Sequence, residues 1–522
     1  MRRRIGIDVG GTNTDAVLLE DDRVLHAMKT PTTADVLTGV RIALLDVARA
    51  MGAGGVQAVM IGTTHFVNAV VQRRDLAPVG ALRIGLPAAK SLPPFCDWPP
   101  DLAAIVRGQV HMVEGGHDFD GRPIMPLDET AVQAAARAML AGGIGCVAVS
   151  SVFSPLDPGM ERRAAEILQA EMPDAAITLS HDLGRIGLLE RENVALLNAC
   201  LAPLARHTIA AFEEALRQAG IVAPLFITQN DGTVIRAELA ARFPVLSFAS
   251  GPTNSMRGAA FLTGVQDALV VDVGGTTSDV GALKGGFPRE ANAVVQVGGV
   301  RTLFRMPDLL SIGLGGGSHV ESDDAGRIRI GPRSVGFRLP ELARIFGGPQ
   351  LTTSDIAVRA GLLGLGDAAQ VEDVALGFAK ATLAEAARML EETIDRMKTD
   401  AAPVPLLAVG GGAFLVPDRL QGVSEVLRPA HAAVANAVGA AIALVSGEAD
   451  QVFQGMTRAE AMAEAERIAR SRAVEAGAEA ATLALVDVED LPIAYLPGGA
   501  LRVRARVVGE IAETSRTPRP AP

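Results

Sequence analysis

Aromatic side chains are nearly missing from this chain of 522 residues, which has one tryptophan (Trp98), one tyrosine (Tyr495) and 3% aromatics in all. Yet 49% of the residues are hydrophobic, so the cores must be packed by alanine, valine, leucine and isoleucine, which suits helices laid on sheets. Cysteine is equally scarce. Cys96, Cys146 and Cys200 stand apart with no Cys-x-x-Cys pair, which excludes a metal–sulfur site of the usual spacing and fits a reducing cytoplasm. Basic residues are outnumbered, 48 Lys and Arg against 59 Asp and Glu, giving a net charge of −11. That balance argues against a nucleic-acid partner, whose phosphates call for clustered cations. Long apolar runs are absent too. Ala432 to Ser446 is rich in small residues and falls short of a membrane span, so packing on a sheet explains it better. The basic start, Arg2 to Arg4, is too short for a secretory leader.

Glycine, by contrast, is abundant: 56 residues, with 30 prolines, imply tight loops between short elements. The length allows two or more domains. Two glycine pairs lie in nearly the same sentence. Residues 8–15 read Asp-Val-Gly-Gly-Thr-Asn-Thr-Asp, and residues 272–279 read Asp-Val-Gly-Gly-Thr-Thr-Ser-Asp, each between short apolar runs. This pattern predicts strand, tight turn, strand. Gly10, Gly11, Gly274 and Gly275 would let an anion approach the amide N–H groups, while Thr12, Asn13, Thr276 and Thr277 would bond phosphate oxygens. Asp8 and Asp272, each at a strand end, are the candidate catalytic carboxylates and metal ligands. Two such turns facing each other would grip one polyphosphate and its metal from both sides. Asp15 and Asp279 recur at a common offset, either in that role or simply capping their turns.

Around the first turn the pattern gives two strands, a third (Val24 to Met28) and a helix near Ala34 to Ala50, capped by Thr33. A strand from Ala58 to Ile61 runs into Gly62-Thr63-Thr64-His65 and a helix to Arg73. Pro87 to Pro100, proline-rich and bearing Trp98, reads as a surface loop or insertion. Helix–strand alternation covers 128–180, and a helical pattern from Leu188 to about Ala219 would link two halves. The second half opens with strands Leu225–Thr228 and Val245–Ala249, and a strand at Leu406–Val409 leads into Gly410, Gly411 and Gly412, followed by more helix. A charged alanine-rich helix (Arg458 to Gly477) and two or three strands come last. Strand-rich openings recurring in both halves suggest a duplicated α/β domain. The expected divisions are 1–187, 188–450, a small α+β extension over 451–512, and a disordered Ser/Thr/Pro/Arg tail over 513–522.

Gly410 to Gly412 after a buried strand would let a base and ribose lie against bare backbone. Two phosphate turns followed by this third site resemble the superfamily of sugar kinases, actin and heat-shock chaperones, in which two ribonuclease-H-like domains close on ATP. Within it the chain is most similar to the hydantoinase/oxoprolinase family, the A-type subunits. Further blocks carry the likeness: Gly62 to Arg73, Glu190-Arg-Glu-Asn193 to Ala199, Gln229-Asn-Asp-Gly232, Ser250-Gly-Pro252, Ile312 to Ser318, Gly331-Pro-Arg-Ser334 and Thr353-Ser-Asp355. It spans about residues 4–447, and the chain ends about where longer relatives carry another domain. His65 and His319 depart from the family's usual residues, which bears on substrate rather than on ATP.

The resemblance implies an α/β fold of two actin-like ATPase domains flanking an interdomain nucleotide cleft. It implies ATP and Mg²⁺ as cofactors, and a second hydantoinase-type subunit or self-association. It further implies ATP-dependent hydrolysis of a cyclic amide (a hydantoin, lactam or oxoproline-like ring), by phosphorylation of the amide oxygen. Amide resonance, whose rotation barrier is about 18–20 kcal/mol, makes the carbonyl a poor electrophile until its oxygen is so modified. Substrate would sit in the cleft near Thr63, Thr64, His65 and Gly315, Gly316, Gly317, Ser318. Gly62 to Thr64 could equally cap a helix. Gly315 to Gly317 could be a plain loop, although three glycines beside Ser318 offer donors to an oxyanion or carboxylate. A small-molecule kinase and a non-hydrolytic actin- or chaperone-like ATPase are the alternatives.

Overall fold

A computed structural model of the chain describes residues 2–31, 36–52, 55–184, 186–291, 295–303, 306–323, 326–493 and 499–512. Thr33, expected as a helix cap, and the tail from Glu513 lie outside the described residues. The fold is mixed α/β. Nine strands make one sheet in the order Ala484–Pro492, Leu501–Gly509, Val445–Phe453, Val234–Arg236, Leu225–Thr228, Ala58–Thr63, Arg3–Val9, Asn13–Glu20 and Arg23–Pro31. Its central strands, Arg3–Val9, Ala58–Thr63 and Leu225–Thr228, run parallel and are buried on both faces, which is why they read as unbroken apolar runs. The residues expected as a C-terminal extension extend one edge of this sheet, with the helix Arg458–Glu475 packed on it through Ala461, Ala465, Ala469 and Ala473.

A second sheet is built on the antiparallel pair Ala268–Val273 and Ser278–Lys284, with Val404–Val409 parallel to the first of these. A third sheet, all parallel, runs Arg107–Glu114, Val79–Leu86, Cys146–Ser151, Ala176–Leu179. It lies in the chain between Ala58–Thr63 and Leu225–Thr228 and returns through the helix Leu188–Gln218. That helix is long and apolar enough to cross a membrane, but 67% of its apolar stretch is buried inside the protein. An ion pair and a hydrogen bond fix its start: the buried Arg83 guanidinium pairs with Glu192, and Ser150 donates to Glu192 at 2.6 Å.

Two expectations are corrected here, one in part, for packing reasons. Pro87 to Pro100 is an irregular, largely exposed loop as expected, but its aromatics are not on the surface: Phe95 and Trp98 are buried, and Trp98 Nε1 donates to Asn193 Oδ1 at 2.7 Å. Val245–Ala249 is not a strand but a 3₁₀ turn, Pro244–Ser247, leading into the helix Ser250–Thr263. Val245 and Phe248 are apolar because they are buried under the long helix, not because they pair in a sheet.

The two Asp-Val-Gly-Gly-Thr hairpins are brought together by two helices. Ser250–Thr263 packs on the second hairpin, where Met256 meets Val270 and Gly281. Ala435–Ala441 packs on the first, where Gly6 lies so close to Ala437 that a Cβ there would come within 2.1 Å of its carbonyl oxygen. The helices cross backbone to backbone. A Cβ added at Gly258 would sit 1.8 Å from the Ala435 carbonyl oxygen, and one at Gly439 would sit 1.8 Å from that of Asn254. Gly439→Ala should therefore cost about 1–3 kcal/mol through overpacking and lower the Tm. Gly377→Ala, in the exposed first turn of Leu376–Met397 with nothing within 4 Å, should leave the Tm unchanged or raise it. Equal Tm values for the two variants in thermal scans would refute the crossing as a close contact.

Candidate active site

The two turns are built alike. Asp8 pairs across the first hairpin with Asp15, and Asp272 across the second with Asp279. Gly10 N–H donates to the Asn13 carbonyl at 3.0 Å, and Gly274 N–H to the Thr277 carbonyl at 2.9 Å. The turns also meet: a Cβ on Gly275 would lie 3.0 Å from Thr12 Cγ2. Gly11 and Gly411 leave open space, with nothing within 4 Å of an added Cβ, so packing within the protein does not demand glycine at either.

Four carboxylates therefore cluster in a poorly hydrated place. Asp8 is buried and accepts from Asn254 Nδ2 at 3.3 Å and Asn436 Nδ2 at 3.0 Å. Burial above all, then the charges of Asp15 and Asp272, push its pKa up to about 7 against those two hydrogen bonds. Asp279 is raised to about 6 by burial, with Asp272 adding to it and Ser311 opposing. Burial also raises Asp272, which accepts from Ser255, and Asp15, which Lys29 and Asn436 partly restore. Carboxylates on facing hairpins that raise one another suit a cation between them. Among the described residues, no group of three or more His, Cys, Asp or Glu converges to hold an ion unaided. Asp8 and Asp272 thus fit Mg²⁺, which keeps waters and phosphate oxygens in its shell rather than an all-protein cage.

The remaining expected residues divide. Gly410 has φ 88°, donates to the Ala432 carbonyl at 2.9 Å, and lies where a Cβ would come 2.3 Å from Asp272 Oδ1. Gly412 N–H donates to the Val273 carbonyl at 2.7 Å, so this segment is strapped to the second hairpin. Only a short 3₁₀ turn, Ala413–Leu415, follows, where more helix was expected. Thr63 is buried and used internally: its Oγ1 accepts from His65 N–H at 3.1 Å and its own N–H donates to Ser250 Oγ at 3.2 Å. Thr64 and His65 are half-buried at the start of the helix His65–Gln72, and burial depresses the imidazole's pKa.

Gly315 to Ser318 is a correction. Its N–H groups are not free for an oxyanion or carboxylate, because all four are spent inside the protein. Gly316 donates to the Gly274 carbonyl at 3.0 Å and Gly317 to that of Gly275 at 2.7 Å. Gly315 donates to Ser318 Oγ at 2.9 Å, and Ser318 N–H to the Gly315 carbonyl at 3.1 Å. The segment braces the second glycine turn from behind. Sequence reasoning missed Asn254, Ser255 and Asn436. Asn436 did leave a trace, as the single polar residue between Ala432 and Leu444.

Two sequence models of one family match the chain: the hydantoinase/oxoprolinase N-terminal region over residues 4–172, and hydantoinase/oxoprolinase over residues 191–367. The chain belongs to the hydantoinase/oxoprolinase family. Caprolactamase subunit alpha of Pseudomonas jessenii is 27% identical over 384 residues, which is 69% of this chain and 54% of that protein. The acetophenone carboxylase gamma subunit of Aromatoleum aromaticum is 27% identical over 399 residues, 69% of this chain and 53% of that one. The chain thus spans about half the length of these curated relatives. A crystal structure of ATP-dependent caprolactamase from Pseudomonas jessenii superposes with a TM-score of 0.79 at 22% identity, covering 99% of this chain and 88% of that one, and so shares its fold.

The raised Asp8 gives a signed pH dependence. Its folded pKa of about 7 exceeds the unfolded carboxylate value, so without a cation its contribution to stability is present in acid and lost as pH rises through about 7. A cation favours the carboxylate and reverses that loss. Mg²⁺ with ATP should therefore bind more tightly, and raise the Tm more, at about pH 8 than at about pH 6, with proton release on the acid side. Calorimetry in buffers of differing ionisation enthalpy measures this, and affinity that is flat across the range would refute it.

Proposed function

We propose that this protein is an ATP-dependent hydrolase of a cyclic amide. The observation that carries the reading is the pair of facing hairpins with matched aspartates, Asp8 and Asp272, beside glycine turns open to a ligand at Gly11 and Gly411. The name of one relative, caprolactamase, supplies the substrate class. We take the two hairpin sheets as the cores of two ribonuclease-H-like, actin-like domains with the nucleotide between them, and 1–187, 188–450 and 451–512 as the working divisions of the chain. Thr12, Asn13, Thr276 and Thr277 would hold phosphoryl oxygens, Gly410 to Gly412 would seat adenosine, and Thr64 and His65 would face the amide. Asp8 and Asp272 would hold Mg²⁺, which would supply charge neutralisation for the bound polyphosphate. ATP as co-substrate suits the cytoplasm. A second, separately encoded subunit is proposed because relatives bear subunit names.

The chemistry balances. The bond between the γ-phosphorus and the β,γ-bridging oxygen breaks, its electron pair leaves with ADP, and a bond to the amide oxygen forms. Water then adds to the activated carbon, C–N cleavage opens the ring to an amine and an acyl phosphate, and a second water splits the acyl phosphate into carboxylate and free phosphate. One lactam, one ATP and two waters give one amino acid, ADP and phosphate. A ring also locks its amide cis, a form costing about 2.5–4 kcal/mol in an open chain, so a pocket shaped for it would prefer rings. The other relative's name, acetophenone carboxylase, favours a second reading in which the activated oxygen belongs to a ketone. That reading requires bicarbonate to be consumed.

ATP turnover should be slow alone and should rise with a lactam, hydantoin or oxoproline, because the acceptor oxygen must lie in line with the γ-phosphate. Free phosphate and a ring-opened amino acid are the expected products, measured with the chain alone and with a co-expressed partner subunit. Asp8→Asn should remove most Mg²⁺-dependent turnover and keep the far-UV circular dichroism. Equal rates with and without the whole panel would overturn the hydrolase reading, and a phosphorylated end product would make the protein a kinase.

A further inference from the structure

Asp8, Asp15 and Lys29 stand directly opposite one another across three adjacent strands of the first sheet. Pairing of this kind puts all three on one face, the face that carries the helix Ala435–Ala441. Lys29 Nζ donates to Asp15 Oδ1 at 2.5 Å, and the other Asp15 oxygen accepts from Asn436 Nδ2 at 2.9 Å, the nitrogen that also holds Asp8. The Asp15 side chain is 3% exposed and that of Lys29 is 32% exposed, so the carboxylate is enclosed while the lysine side chain is partly open to solvent. The positive charge reaches beyond Asp15: Asp272 on the facing hairpin is raised by burial, and Lys29, after the Ser255 hydrogen bond, offsets part of that rise. Among the described residues, Lys29 is the one Lys or Arg in ion-pair contact with any of the four hairpin aspartates.

Composition sharpens the point. Of the 48 basic residues only five are lysine. A guanidinium here would form a fixed fork on Asp15, whereas an ammonium is a compact charge on a flexible stem, able to turn from a carboxylate to a neighbouring oxygen. A site that already holds four carboxylates, and takes in a polyphosphate with one dication, has negative charge to spare.

We propose that Lys29 is a catalytic residue of phosphoryl transfer, its ammonium donating to an oxygen of the transferring group, with Asp15 as the residue that positions it. This rests on the reading of the cleft as an ATP site. Lys29 neither gives nor takes a proton. The γ-phosphorus loses its bond to the bridging oxygen, whose electron pair leaves with ADP, and gains one to the acceptor oxygen. In basal turnover that acceptor is water, whose proton passes to the departing phosphate or to solvent. Lys29 offsets the charge on the group in flight.

The test is basal Mg²⁺-dependent ATP hydrolysis by the full chain and three variants: Lys29→Met, Asp15→Asn, and Lys29→Met combined with Asp15→Asn. Lys29→Met should lower kcat about 10²-fold or more, with a much smaller change in KM for ATP. Asp15→Asn should lower it less, since the ammonium remains. The double variant decides between roles, because it removes the buried charge pair as a pair. If Lys29 acts on phosphate, the double variant stays as slow as Lys29→Met. Recovery of the double variant to the Asp15→Asn rate would mean that Lys29 only neutralises Asp15, and would overturn the proposal. Should Lys29→Met fail to fold, the double variant set against Asp15→Asn still separates the two roles. A wild-type chain that hydrolyses no ATP under any condition would instead sink the reading of the cleft itself.

Discussion

The contact on which the site depends is the crossing of two short helices at Gly258 and Gly439, where each backbone touches the other's carbonyl. A Cβ at either glycine would sit 1.8 Å from a carbonyl oxygen, so no other residue permits that approach without moving a helix. The consequence is geometric. With the helices this close, Asn254 reaches Asp8 while its neighbour Ser255 reaches Asp272, and Asn436 spans Asp8 and Asp15. One crossing thereby sets the distance between the two hairpins and the hydrogen bonds on their carboxylates. Gly62 serves the same end, since a Cβ there would fall 2.6 Å from Asp8 Oδ1 and 2.3 Å from Asn254 Nδ2.

Buried carboxylates are costly unless paired, and this site leaves them only partly paired. Neutral amide and hydroxyl donors, rather than arginine, meet Asp8 and Asp272. They stabilise the anions enough to keep them in place but not enough to cancel burial, so Asp8 stays near 7. A site arranged this way binds a cation more strongly than one already neutralised by its own residues. Elsewhere the protein buries charge in full pairs, as with Arg83 and Glu192 at 0% and 3% exposure, where the role is to dock one sheet on a helix. The contrast separates a holding ion pair from a receiving one.

The two hairpins are alike in pattern and unlike in support. The first has Asn436 and Lys29 over its carboxylates. The second is braced from behind by Gly315 to Ser318, whose amides fasten on the carbonyls of Gly274 and Gly275, and strapped by Gly412 to Val273. The second turn is thus braced through its backbone carbonyls, while Asn436 and Lys29 hold the carboxylates of the first.

The hairpins, the central parallel strands and the long helix Leu188–Gln218 were legible because each is local: alternation, glycine turns and helical periodicity act within a few residues. The repeated Asp-Val-Gly-Gly-Thr named the carboxylates for the same reason. Trp98 was misjudged because prolines mark irregular backbone but say nothing about burial, and Val245 because an apolar run is the same whether it pairs in a sheet or lies under a helix. Gly316 and Gly317 looked like free donors because the turn that takes their N–H groups, at Gly274 and Gly275, lies about forty residues away in sequence. The sequence by itself determined which residues carry charge and where the glycine turns fall. Tertiary structure alone decided that Asn254, Asn436 and Lys29 belong to that site, since hydrogen bonds and fields join residues by distance in space, and sequence records only distance along the chain.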